Sequence, residues 1–170
     1  MQAKLSVRMI AFIGVLTALY VVLSRFLSII NTPTIRIGLG FLPIVLAAIV
    51  LGPWQAGVVA ALGDIVGALV HPVGPYFPGF TVTAFFSGLI LGLLIYKKKN
   101  IFITILAVVI HQLVFSLLID TIWISILYGA SYTGYVLTRL PECGIHIALE
   151  IIIILVAGDR LRRLRPVLLS

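Results

Sequence analysis

Four ionisable residues recur at helical spacing in "RLPECGIHIALE": Arg139, Glu142, His146 and Glu150. Their intervals of three, four and four put all of them on one face of a helix. A carboxylate and an imidazole four residues apart could hold a metal, pass a proton, or hydrogen-bond a polar ligand. The plainer reading is internal pairing of Glu142 with Arg139 or His146, serving packing alone. Two more carboxylates, Asp64 in "GDIVGALV" and Asp120 in "LLIDTIW", stand inside otherwise apolar runs.

The catalytic readings lack their other parts. The chain has no paired His-Glu-x-x-His zinc ligands, no nucleophilic serine between glycines, no phosphate-binding Gly-rich loop and no Cys-x-x-Cys pair. Cys143 is the single cysteine, so neither an intramolecular disulfide nor a cysteine metal cluster is available. These absences argue against an enzyme, against ATP hydrolysis by this chain, and against a metal or cofactor. Ligand binding remains.

Composition supplies the setting: 62% of the residues are hydrophobic and 10% charged, far from the roughly 25% charge of soluble domains. A helix needs about 20 apolar residues to cross a hydrocarbon core about 30 Å thick. That ruler predicts an all-α membrane protein, one domain over 1–170, with helices at about 5–29, 39–51, 54–70, 79–96, 101–127 and 138–161. The second is too short to cross unaided, and "GPW" at 52–54 turns it into the third. "MQAKLSVR" opens directly into an apolar run without a small-residue cleavage site, so the first segment is expected to stay as a transmembrane helix.

An even number of helices puts both termini on one side. Lys4, Arg8, Lys97, Lys98, Lys99, Arg160, Arg162, Arg163 and Arg165 gather on that side, which makes it cytoplasmic. Orientation therefore accounts for the net charge of +7 without any nucleic acid. Arg25, Arg36 and Arg139 fall instead at the outer helix ends. Each alone could snorkel to lipid or cap a carbonyl; three converging on one face fit an anion, and the guanidinium fork suits a carboxylate.

By the same geometry Asp64 and Asp120 lie about two turns below the outer helix ends, and the stripe from Arg139 to Glu150 descends the last helix. His111 and Gln112 form an interhelical hydrogen-bonding pair, with ligand contact as a secondary role. Between helices 3 and 4, "HPVGPYFPG" at 71–79 combines His71 with prolines and aromatics, and reads as a lid and wall over a site. Tyr76, Phe77, Phe80 and Trp123 could stack on a flat ligand. Small residues also line up, at Ala11, Gly14 and Ala18 on helix 1, and at Ala56/Ala60, Gly63/Gly67 and Ala84/Gly88/Gly92. Most such stripes pack inside a bundle, leaving one for another chain.

Residues 36–93, "RIGLGFLPIVLAAIVLGPWQAGVVAALGDIVGALVHPVGPYFPGFTVTAFFSGLILGL", with "GPYFPGFT" as their most diagnostic part, resemble the core of the S components of energy-coupling factor (ECF) vitamin transporters, specifically the folate type. The resemblance implies a multi-pass protein of the prokaryotic cell membrane. It implies capture of folate from outside, followed by association with a transmembrane coupling protein and two ATPase subunits that supply the hydrolysis. Folate would set its pterin against a carboxylate, with Asp64, Asp120 and Glu142 as candidates, its flat middle between aromatic rings, and its glutamate tail against the arginines. In that family an Ala-x-x-x-Ala motif on helix 1 meets the coupling protein; here it reads Gly14-x-x-x-Ala18. The alternatives are an S component for another vitamin such as thiamine, and a small stand-alone secondary transporter. Against the latter, no repeat relates the two halves of the chain, and the polar residues gather in the outer half instead of at the midplane.

Overall fold

In a computed structural model the described residues fold as a bundle of six helices. The structure describes residues 7–28, 30–32, 34–98, 100–129 and 131–169; Lys4 and Lys99, and the side chains of Arg36 and Arg165, lie outside that description. The helices are α1 (Val7–Phe26), α2 (Phe41–Val50), α3 (Pro53–Val70), α4 (Pro78–Ile95), α5 (Ile101–Tyr128) and α6 (Tyr132–Leu169). All but α2 are long and apolar enough to cross a membrane.

Helix boundaries follow local chemistry. The α2–α3 turn runs through Gly52 at φ 120°, a conformation a side chain would oppose, into Pro53 at the first turn of α3. The Asn100 side chain accepts a hydrogen bond from the Phe102 N–H at 2.9 Å and caps α5. Gly129, at φ 66°, ends α5 in the left-handed conformation. Helix α6 starts at Tyr132, six residues before the 138 expected from sequence, with the Ser131 carbonyl accepting from the Tyr135 N–H at 3.1 Å. The connection at 28–40 holds a short antiparallel hairpin, β1 (Ile30–Asn31) on β2 (Arg36–Ile37). Its turn is closed by Thr32, whose hydroxyl donates to the Ile35 carbonyl and accepts from the Ile35 N–H, both at 2.9 Å.

Two stretches depart from α-helical geometry. Val22–Phe26 of α1 and Ile110–Ile119 of α5 are π-helical, with the Leu27 N–H reaching back five residues to the Val22 carbonyl at 3.0 Å. Turns of this kind are uncommon and recur at functional sites.

The short helix α2 lies at the centre, packed against α1, α3, α4 and α6. Val45, Ala47, Ala48 and Ile49 are almost wholly buried. Ten residues rise only about 15 Å, half of a bilayer core, so its neighbours must shield its polar ends. Small residues let the long helices close around it, since lipid offers no hydrophobic drive between helices and close contact does the work. Gly88 of α4 faces the backbone of α3: a Cβ there would stand 2.7 Å from the Ala56 carbonyl oxygen. Gly92 meets Pro53, and Gly63 meets the Tyr20 ring of α1, just as closely. Around Gly14 of α1 nothing among the described residues lies within 4 Å of such a Cβ.

This contrast gives a stability test. Gly88→Ala is expected to cost about 1–3 kcal/mol through overpacking, although alanine is otherwise the better helix former. Gly14→Ala is expected to leave stability unchanged or slightly raised. Thermal unfolding of the two purified variants, followed by intrinsic fluorescence, checks the pair; equal melting temperatures would contradict this packing.

Candidate functional site

A cavity of about 230 Å³ opens at the end of the bundle away from both termini. The C-terminal parts of α1, α3 and α5, the starts of α2, α4 and α6, and the connections before α2 and α4 build its walls. Both π-helical stretches face it, contributing Ser24 and Arg25 from α1, and His111, Gln112 and Phe115 from α5.

Buried charge in the walls is paired. Arg25, 7% exposed, has Nη2 3.7 Å from Asp64 Oδ1, which ties α1 to α3. Gly67 clears the way, for a Cβ there would lie 2.8 Å from Arg25 Nε. The other Asp64 oxygen accepts from the Thr81 hydroxyl at 2.7 Å, and Tyr76 O–H shares a 3.0 Å hydrogen bond with Thr81, so the loop before α4 is tied to the same carboxylate. On the opposite wall Arg139, 6% exposed, donates from Nη1 to the Thr121 hydroxyl at 2.9 Å and from Nε to Glu142 at 3.5 Å. Desolvating such groups singly costs several kcal/mol, which explains why each guanidinium sits on a carboxylate. Arg25 and Arg139 are thus wall residues, not free charges at the outer rim.

His146, one helical turn below Glu142, lines the cavity and accepts a long 3.4 Å hydrogen bond from the Gly38 N–H, which holds the β2 end of the hairpin connection against α6. Its ring lies 5.7 Å from that of Phe41, at the start of α2. Below this level Glu150 is fully buried, and His111 and Gln112 of α5 both bond to it.

Aromatic residues form one flank. Phe77 and Phe80, 6.4 Å apart and edge to face, line the cavity together with Tyr76. Gly79 allows the crowding, because any side chain there would meet the Phe77 ring and, at 2.9 Å, the Trp123 indole.

Of the residues predicted to form the site, Arg25, Asp64, Tyr76, Phe77, Phe80, Asp120, Arg139, Glu142 and His146 line this one cavity. Trp123 stands behind Phe77, with ring centres 5.3 Å apart, and its indole N–H donates to the Thr83 hydroxyl at 2.9 Å; it braces the wall from outside the lining. His71 caps the end of α3 with its ring 5.2 Å from Phe26, also outside the lining. Arg36 sits on β2 by its backbone, and its side chain lies outside the described residues. Lining residues that sequence reasoning did not single out include Tyr20, Ser24, Thr34, Phe41, Phe115 and Ser116. Only the π turns distinguish Ser24, Phe115 and Ser116 from ordinary packing positions, and those turns have no sequence signature. Ala11, Gly14 and Ala18 are exposed on α1, whereas Ala56, Ala60, Gly63, Gly67, Gly88 and Gly92 are buried.

Comparison with known proteins agrees with this architecture. The family model for the ECF-type riboflavin transporter S component matches residues 4–163. The folate transporter FolT of Clostridium novyi (strain NT) is 38% identical over 159 residues, covering 93% of this chain and 92% of that protein. FolT of Leuconostoc mesenteroides is 30% identical over 131 residues, 76% of this chain and 70% of its own length. The crystal structure of FolT bound with folic acid superposes with a TM-score of 0.83 at 33% identity, covering 91% of this chain and 95% of that one. The S component for biotin from an ECF-type ABC transporter shares the fold alone, with a TM-score of 0.66 at 20% identity over 98% of this chain and 95% of that one. Matched over nearly its whole length, and with buried polar walls around a cavity at one end of a six-helix bundle, the chain belongs to the S components of ECF-type transporters.

Proposed function

We propose that this chain is a multi-pass protein of the prokaryotic cell membrane that captures folate from outside and delivers it with a separate ATP-hydrolysing module. The observation that carries this reading is the cavity itself. It opens away from both termini and combines buried arginines with an aromatic flank, in a chain 33% identical to a FolT solved with folic acid. Folate needs these elements: hydrogen bonds for a heteroaromatic end, apolar surface for a flat middle, and cations for two carboxylates. Arg139 gives two of its N–H groups to Thr121 and Glu142, and a guanidinium has five. The rest can meet a ligand carboxylate without the buried pair being broken. At about 230 Å³ the cavity is slightly smaller than the roughly 300–1,000 Å³ typical of drug-sized ligands. The glutamate tail then extends towards the mouth, between the hairpin connection and the loop before α4.

Delivery requires partners: a transmembrane coupling protein and two ATPases. The surface that suits the coupling protein is the outward stripe of Ala11, Gly14 and Ala18, exposed while the other small-residue stripes of α3 and α4 pack internally. Beside it Ile10 and Val15 are 56% and 63% exposed, which completes a smooth apolar face.

Three outcomes are expected. In titrations of the purified chain against a panel of vitamins without ATP, folate binds tightly and thiamine and riboflavin do not; millimolar or absent folate binding would overturn the assignment. Asp64→Asn, which leaves Arg25 without its carboxylate in the wall, weakens folate binding by about tenfold or more and lowers the melting temperature. If neither it nor Arg36→Ala changes affinity, the site lies elsewhere. Vesicles holding this chain alone accumulate no folate, whereas vesicles that also contain the coupling protein, the ATPases and ATP do. Accumulation by the chain alone would favour a stand-alone transporter.

A further inference from the structure

A second recess opens beside the first cavity. It has a volume of about 420 Å³ and lies between the hairpin turn, at Thr34 and Ile35, and the start of α6, at Ser131, Gly134, Tyr135 and Thr138. Thr34 and Ile35 also line the first cavity, so one strip of chain is the wall between the two. The four residues at the start of α6 recur at helical spacing and share one face. That face exists because α6 begins at Tyr132; a helix starting at 138 would leave the hairpin turn without an opposite wall. Both walls are held in place. Tyr132 O–H donates to the Leu118 carbonyl at 3.4 Å and ties the start of α6 to α5, while the Gly38 N–H donates to His146 and ties the hairpin connection to α6.

Hydroxyl groups dominate the lining. Ser131 shares a 2.9 Å hydrogen bond with Thr133, and Thr138 donates to the Tyr135 carbonyl at 3.0 Å. Among the described residues the hydroxyls of Thr34 and Tyr135 have no hydrogen-bond partner. Neither belongs to the buried polar atoms that lack one, so both O–H groups are open to a ligand. The five carboxylates of the chain, Asp64, Asp120, Glu142, Glu150 and Asp159, all fall outside 28–40 and 131–138, whereas Arg36 stands on β2 beside the turn. Nothing in these walls repels an anion. Ile35 and the Tyr135 ring add apolar surface for a short methylene stem.

We infer that this recess is a second subsite, which takes the γ-linked glutamate units of a folate that carries more than one glutamate. The inference rests on the folate reading and deepens it, since tail length becomes something the protein reads. A single glutamate ends at the mouth of the first cavity. Each added unit brings one carboxylate, one methylene stem and one amide, and the strip at Thr34 and Ile35 is where the longer tail crosses. At about 420 Å³ the recess is within the roughly 300–1,000 Å³ of small-molecule sites. It is open to water and salt, so its hydrogen bonds to carboxylates add a modest increment to the affinity of the buried cavity.

The test compares dissociation constants of the full chain for folic acid and for its tri-γ-glutamate form. The unmodified protein is expected to bind the triglutamate about three- to tenfold more tightly, the scale of one or two hydrogen bonds to charged groups near water. Gly134 and Tyr135 line the recess and not the first cavity, so they separate the two. Among the described residues a Cβ at Gly134 would meet only the Ser131 Cβ, at 3.8 Å, so a longer side chain fits there. Gly134→Glu places a carboxylate in the recess and is expected to abolish the advantage of the triglutamate, leaving folic acid within about twofold. Tyr135→Phe removes one donor and is expected to lower the advantage by about threefold. Equal binding of the two ligands by the unmodified chain overturns the inference and leaves folate capture intact. An advantage that survives Gly134→Glu overturns it too, as does an equal loss of both ligands. If Gly134→Glu does not fold, Tyr135→Phe decides alone, and an unchanged advantage there overturns it. If the unmodified chain binds neither ligand, the folate reading fails and this inference fails with it.

Discussion

Everything around the cavity of this bundle depends on neutralising charge inside an apolar scaffold. A guanidinium or carboxylate among helices in lipid must find a partner, and here the partners usually sit on different elements. Arg25 on Asp64 joins α1 to α3. Arg139 on Thr121, and Glu150 with His111 and Gln112, join α6 to α5. The same contacts that make these groups tolerable fix the distances between the cavity walls. Polarity and shape of the site are therefore one property, and removing a single charge disturbs both.

The other half of the bundle is held differently. There the helices meet through Gly57, Gly88 and Gly92, where α3 and α4 come close enough that a methyl group would collide with backbone or ring atoms. Close packing at one end lets the helices diverge at the other, and the short α2 decides what fills the gap. Because α2 spans about half of a bilayer core, the chain between α1 and α2 descends to meet it. Thr32, Thr34, Ile35, Gly38 and Gly40 of that connection line the cavity as a result. A full-length second helix would have kept these backbone groups outside.

Much of this was legible in the sequence because it follows from spacing and composition. Apolar runs and the Gly52-Pro53 turn mark α2 through α5 to within a residue or two, and the intervals between Arg139, Glu142, His146 and Glu150 place those residues on one inward face. Asp64 was legible as a carboxylate that an apolar run has no reason to keep. Its partner was not, since nothing local connects Asp64 to Arg25, thirty-nine positions earlier. The π turns were also invisible, because "VLSRF" and "IHQLVFSLLI" read as ordinary helix and tertiary contacts select the wider turn. Trp123 and His71 show the limit of arguing from depth: both stand at the right level, but their rings are turned to Thr83 and Phe26.

Helix α1 is where the two halves meet. Its final, wide turns carry Ser24 and Arg25 into the cavity, while its first turns present Ala11, Gly14 and Ala18 outward. Lipid does not require small residues on a helix face, since leucine would be as well solvated there; close approach of another helix does. The other stripes meet that requirement within the bundle, and the one on α1 faces outward. A continuous helix transmits displacement along its axis with little loss, and 20 residues span about 30 Å. A ligand that draws Arg25 towards itself therefore acts on the same helix that carries the outward stripe of small residues. In this fold the cavity wall at Arg25 and the outward stripe of Ala11, Gly14 and Ala18 belong to one helix.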